Sequence, residues 1–206
     1  MNHQLCRWLF QSIAIISLTI PAFTAKAELL TGNTLFNFAP NPSVALNLLA
    51  VNTTSNMVDI IMSGRNDGWF AIGFGNNTMD DTYAIIIDQT GASSEYKLGI
   101  FGSNTLIAST VSLVSSNVAG STRTVHLQRG RDLGIAFPDH YAYPTAPGTV
   151  LLAGATGRGA FGYHLNRAGG SVTLSAIPEP ASTLLIFAGG LVALVSRRRD
   201  RLQKTQ

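Results

Sequence analysis

The stretch Trp69-Phe70-Ala71-Ile72-Gly73-Phe74-Gly75-Asn76-Asn77-Thr78-Met79-Asp80-Asp81-Thr82-Tyr83-Ala84-Ile85-Ile86-Ile87-Asp88 decides the fold of this 206-residue chain. Its first half alternates with period two: Phe70, Ile72 and Phe74 share one face of a strand, and Ala71, Gly73 and Gly75 share the other. A polar, turn-forming segment follows, and then the apolar run Tyr83–Asp88. Two strands joined by a short loop are the reading. Working outward, the same short alternating runs recur at Thr34–Phe38, Val44–Leu48, Val58–Met62, Tyr96–Phe101, Thr105–Leu113, Thr122–Arg129, Thr149–Ala155 and Ser171–Ser175. About ten strands with turn signals every 8–12 residues or so, and no sustained 3.6-residue period, predict an all-β, antiparallel β-sandwich. The one long irregular connection is Asp132–Pro147, which contains Pro138, Pro144 and Pro147.

Charge is distributed in a way that separates this body from both ends. The whole chain has a formal net charge of +3. Residues 28–176 nevertheless hold nine acids against seven bases, a net of −2. The excess positive charge lies in 1–27 and 177–206, and both segments read as addresses. At the N-terminus, the apolar run Trp8–Ile20 is followed by Pro21 and by Ala25-Lys26-Ala27. This is the pattern of a secretory signal peptide cleaved by signal peptidase after Ala27. The single cysteine, Cys6, precedes the apolar run and leaves with it. The domain over 28–176 then has no disulfide and no cysteine-based metal site. Its bases are scattered singly and outnumbered, which excludes a nucleic-acid footprint.

The C-terminal segment 177–206 runs Ile177-Pro178-Glu179-Pro180, then an apolar stretch Ala181–Ser196, then Arg197-Arg198-Arg199. As a helix the 16-residue stretch is about 24 Å long, short for a hydrocarbon core of about 30 Å unless its flanks snorkel. The arginine cluster fixes that end in the cytoplasm. Pro-Glu-Pro, apolar helix and arginine cluster, in that order, resemble the PEP-CTERM sorting signal of Gram-negative and cyanobacterial surface proteins. The resemblance implies transient inner-membrane insertion by the helix and cleavage by an exosortase near Pro178-Glu179-Pro180. Release to the cell surface or extracellular matrix would follow.

The 69–88 stretch, with the strand before it, the later strand ending in Arg129 and the final Tyr163-His164-Leu165-Asn166-Arg167-Ala168-Gly169-Gly170-Ser171-Val172-Thr173-Leu174, resembles the DOMON domain, an extracellular β-sandwich. Members of that family bind haem or sugars. In the haem-binding members a Met in the first loop and a His before the last strand ligate haem b, and the matching positions here are Met79 and His164. The resemblance thus implies an exported ligand-binding domain with haem b, Met79 and His164 as axial iron ligands, and one-electron transfer to a redox partner. Both axial places would be filled, which suits electron transfer and leaves no open site for oxygen chemistry.

The residues taken alone leave other readings open. A loop Met commonly packs, and a lone His is commonly solvated. His126 falls on the solvent face of its strand and is the reserve ligand. A second function is a carbohydrate-binding or structural matrix module, with Tyr141, Tyr143 and Tyr163, together with Trp69, as stacking platforms for an extracellular polysaccharide. His140 sits among the first two of these. Gly157-Arg158-Gly159-Ala160-Phe161-Gly162 matches a dinucleotide pattern in letters only, because no helix is predicted after it. Asp80, Asp81 and Asp88 are too few clustered oxygens for a calcium site. No Gly-x-Ser-x-Gly elbow or nucleophile–base pair points to an enzyme.

Overall fold

The computed structural model describes residues 29–100 and 103–177, which are strand, turn and loop apart from 3₁₀ structure at Ile100 and at Gly134–Ala136. Eleven antiparallel strands form the body: β1 (Leu29–Phe36), β2 (Val44–Asn52), β3 (Met57–Arg65), β4 (Gly68–Phe74), β5 (Thr82–Ile87), β6 (Ser93–Leu98), β7 (Asn104–Leu106), β8 (Ser112–Ala119), β9 (Thr122–Gly130), β10 (Gly148–Arg158) and β11 (Asn166–Ala176). Their order is β7-β6-β5-β4-β10-β11-β1-β2-β3-β9-β8. The sheet curls into two leaves that meet at β11 and β1, where only Leu30↔Ala176 and Thr31↔Ser175 pair. The segments at 1–27 and 177–206 lie outside the described residues, apart from Ile177. So do Ala27, Pro178, Glu179, Pro180 and the Arg197–Arg199 cluster. Among the described residues no helix is long and apolar enough to cross a membrane.

The core forms as the alternation requires. Phe70, Ile72 and Phe74 of β4 meet Ile85 and Ile87 of β5 and Leu152 of β10 from one leaf. Leu46 and Leu49 of β2, Ile60 and Met62 of β3, and Val125 and Leu127 of β9 come from the other. All are buried. Each such side chain contributes about 1.5–3 kcal/mol by leaving water. Gly154 and Gly64 sit where a Cβ would run into the rings of Phe36 and Phe70, so these rings occupy the room that glycine leaves.

One strand differs from the sequence expectation. Thr105–Leu113 is not continuous: the chain leaves β7 after Leu106 and re-enters a strand at Ser112. The cause is Glu95 of β6. Its carbonyl accepts the Ile107 N–H at 3.0 Å, and its carboxylate accepts the Thr110 and Val111 N–H groups. Backbone donors that would have joined a ladder are taken by one buried side chain, and the chain crosses from one leaf to the other there. The β8–β9 hairpin that follows makes the strand count eleven rather than ten.

Glu95 belongs to a buried polar knot. It is fully inaccessible, as is the Arg129 side chain of β9, whose Nη1 lies 3.8 Å from Glu95 Oε1. Tyr83 donates to the same oxygen at 2.5 Å, Thr110 Oγ1 at 2.8 Å, and His140 Nε2 lies 3.5 Å away. The Arg129 guanidinium also lies 5.0 Å from the Tyr83 ring centre and 5.4 Å from that of Tyr143. The 131–147 connection is thereby drawn into the core: Arg129 Nη2 donates to the Tyr141 carbonyl at 3.0 Å, and Arg131 Nη1 to the Tyr143 carbonyl at 2.8 Å.

Candidate functional site

The outer face of the β4-β10-β11 leaf is built of small side chains. Register places Ala71 beside Ala155, Gly73 beside Ala153, and Gly157 beside Trp69. Across the next strand pair, Ala155 faces Arg167 and Ala153 faces Gly169. A shallow floor results, with Trp69 at one end and the Arg167 side chain rising from the middle. Trp69, Ala71, Ile86 and Ala155 are buried on this face even though no second sheet covers it.

Two loops provide the cover. The first, between β4 and β5, is tied down by its own polar groups: Asn76 Nδ2 donates to the Asp80 carbonyl at 3.1 Å, and Thr82 Oγ1 to the Thr78 carbonyl at 2.8 Å. It starts at Gly75, whose φ of +96° favours glycine, and Asp81 at φ +53° turns it back into β5. Gly169 lets it approach β11, because a Cβ there would strike the Asn77 backbone. The second loop joins β10 to β11. Its Phe161 ring packs edge-on against Trp69 and tilted against Tyr96, 5.0 Å between centres in each case.

Between the loops and the floor lies a cleft of about 790 Å³ lined by Met79, Gly99, Ile100, Phe161, Tyr163 and His164, among others. Its size falls within the range for small-molecule and cofactor sites. A second lobe of about 370 Å³ extends over β10 and β11, lined by Asn77, Thr78, Ala153 and Gly169. Met79, Asp80 and Arg167 line both lobes and mark where they join. Partial burial, and then the nearby Arg167 guanidinium, hold the His164 imidazole below its usual pKa. Both effects favour the neutral ring, the form that can donate a lone pair to a metal. No hydrogen bond from a described residue occupies its nitrogens; its ring stacks on Tyr163 at 4.8 Å.

This donor set fits a haem. A thioether and an imidazole, carried by two different loops, face one roomy cleft. Phe161 and Ile100 give it apolar walls, and Gly99 and Gly162 allow close approach. Among the described residues no group of three His, Cys, Asp or Glu side chains could hold a bare metal ion. Met79 and His164 are the side chains that would hold a porphyrin iron here.

The other sequence candidates fall elsewhere. His126 lies on the outer face of the opposite leaf, its Nε2 2.8 Å from Asp59 Oδ1, so it is no reserve ligand for this cleft. The stacking platforms expected for sugar are corrected by burial. Tyr143 is only 1% exposed, wedged against Phe74 at 5.3 Å between centres and beside Arg129, and burial pushes its hydroxyl well above the ordinary tyrosine range. Trp69 is 3% exposed under Phe161. Tyr141 stacks on Phe74 at 6.2 Å and is half-buried. His140 is buried too, with Nε2 2.9 Å from the Ala108 carbonyl. Tyr163, at the cleft mouth with its ring on His164, is the one candidate platform that stays largely exposed, at 89%. The segment 157–162 is the end of β10 and a loop, with strand rather than helix after it, so no phosphate cradle forms. Arg167 and Phe161 are the cleft residues that sequence reasoning missed. The signal for Arg167 was present as a lone base three residues past His164.

The β-sandwich fold is similar to that of a solved cytochrome domain. The cytochrome domain of Myriococcum thermophilum cellobiose dehydrogenase superposes with a TM-score of 0.57 at 13% identity, covering 71% of this chain and 85% of that one. The cytochrome b domain of pyranose dehydrogenase from Coprinopsis cinerea gives 0.46 at 12% identity, over 71% and 77%. Residues 176–199 match the PEP-CTERM protein-sorting motif, which marks a chain for export and for processing by an exosortase. Among curated proteins none matches the chain.

Proposed function

We propose that the protein is an exported electron-transfer module rather than an enzyme, binding haem b in the cleft with Met79 and His164 as axial ligands. The observation that carries this reading is that these two side chains, far apart in sequence, line one cleft of cofactor size. When bound, haem supplies a one-electron Fe(III)/Fe(II) couple, and thioether ligation favours a raised reduction potential. His164 contributes an imidazole whose neutral form is favoured by partial burial and by Arg167. Met79 is held over the floor by the pinned 75–81 loop. Phe161 gives the cleft an apolar wall. After export, exosortase cleavage at Pro178-Glu179-Pro180 would deliver the domain to the cell surface or matrix, where it exchanges electrons with a redox partner.

The test is a titration of the full chain, purified in mild detergent, with haem while the visible spectrum is recorded. A saturable six-coordinate low-spin spectrum is expected, and Met79→Ala and His164→Ala should each change its coordination signature. A chain that produces no Soret shift on titration overturns the reading.

A further inference from the structure

We infer that Arg167 and Asp80 form a charge selector at the junction of the two lobes, with Arg167 receiving a carboxylate of the bound macrocycle and Asp80 opposing it. This rests on the haem reading above. Haem b carries two propionates, so its orientation in a two-lobed cleft depends on where positive charge meets the edge of the ring.

The geometry points to one place. Arg167 emerges from a floor otherwise made of Ala153, Ala155 and Gly169, and it lines both lobes. Its guanidinium makes no hydrogen bond or ion pair with any described residue, whereas Arg65, Arg129, Arg131 and Lys97 all have carboxylate neighbours within 4.0 Å. An arginine offers five N–H donors in a fork that matches a carboxylate. With no partner among the described residues, it is the one strong anion acceptor on the described lining of a cofactor-sized cleft. Its close neighbour in the chain is the imidazole that would hold the iron, so a carboxylate on Arg167 would fall at one edge of a ring ligated by His164. A carboxylate held by Arg167 would lie at the junction beside Asn77, Thr78 and Gly169, away from Phe161 and Ile100.

Asp80 is the counterweight. It lines the same junction, and its carboxylate pairs with no cation among the described residues; neighbouring Asp81 takes Lys97 instead, at 2.8 Å. It does not approach Arg167 closely enough to neutralise it. A ligand carboxylate at the junction therefore feels an attractive and a repulsive group, and the two can be removed separately.

The experiment titrates the full chain and its variants with haem and with haem dimethyl ester, whose propionates are masked. Arg167→Gln should weaken haem binding about tenfold or more, since a charge-assisted hydrogen bond is lost. The same variant should change ester binding less than about twofold, and Arg167→Lys should restore part of the haem affinity. Asp80→Asn should tighten haem binding by a few-fold and leave the ester unmoved. The low-spin spectrum should persist in all of these, because the axial ligands are untouched. Equal losses with haem and ester, or wild-type haem affinity in Arg167→Gln, would overturn the selector and leave Met79 and His164 standing. If the wild-type chain binds neither compound, the haem reading and the selector fall together.

Discussion

Replacing Glu95 by glutamine should destabilise the protein far more than a change of one atom suggests. The carboxylate accepts four hydrogen bonds: two from backbone N–H groups of the 107–111 crossover, one from Thr110 Oγ1 and one from Tyr83. Among the described residues it is also the only carboxylate within 4.0 Å of the Arg129 guanidinium. A hydrogen bond to a charged acceptor contributes about 1.5–3 kcal/mol against about 1 for a neutral pair. Losing that surplus, about 0.5–2 kcal/mol per bond, from four bonds costs about 2–8 kcal/mol. An amide also presents a donor where one pair of donors already points. Stranding a buried arginine costs about 3–5 kcal/mol by itself, and the two effects share atoms, so they do not add. The expected loss is therefore about 3–5 kcal/mol, out of a total that for such domains runs to about 5–15 kcal/mol. Urea unfolding followed by tryptophan fluorescence measures it. Adding Arg129→Met to Glu95→Gln should recover part of the loss, since the unpaired charge is then gone. A Glu95→Gln chain within about 1 kcal/mol of wild type, at an unchanged urea slope, refutes the account of the knot.

Alkali should act through the same region. Burial raises the hydroxyls of Tyr83 and Tyr143 well above the ordinary value near 10. Above pH 10 or so the unfolded chain loses these protons while the folded chain keeps them, so stability falls as pH rises, by about 1.4 kcal/mol per pH unit for each tyrosine. Phenolate absorbance from the pair should appear together with unfolding in a pH titration, and its appearance in the folded protein near pH 10 would count against their burial. Gly154→Ala should lower Tm by several degrees, because the added methyl meets the Phe36 ring and overpacking costs about 1–3 kcal/mol. Gly148→Ala, with open space around it, is the control and should leave Tm within about a degree or two.

Much of the fold was legible because one rule governs it. Phe70, Ile72 and Phe74 declared their face by alternation, and Val125 and Leu127 did the same opposite His126. The rule failed where a strand has cover on both sides or on neither. In β6 the outward Tyr96 packs under Phe161, so alternation marks Tyr96 as the inward residue, while the charged Glu95 is the one that enters the core. In β8 all eight residues are exposed, and no apolar stripe fixed its bounds. Tyr143 misled for another reason: a proline-rich connection reads as surface, and nothing local reveals that Arg129 and Arg131 reel it in. Met79 and His164 were singled out through resemblance to a family, since neither residue type taken alone points to a cleft. Arg167 was missed because an unpaired cation becomes informative only once its surroundings are seen.

The narrow seam between β1 and β11 has a mechanical meaning. Ile177 N–H donates to the Leu29 carbonyl at 3.0 Å, so the two ends of the described chain leave from one corner. β11 runs from that corner to the cleft, and its Asn166–Ala176 span is about 30 Å at strand rise. The sorting motif begins at residue 176, on the corner itself. A chain held by that motif carries its cleft on the far end of a stiff eleven-residue arm, at a standoff comparable to the thickness of a bilayer core. The leash and the reactive end are thus kept apart by a single β-strand, and cutting the leash need not disturb the cleft.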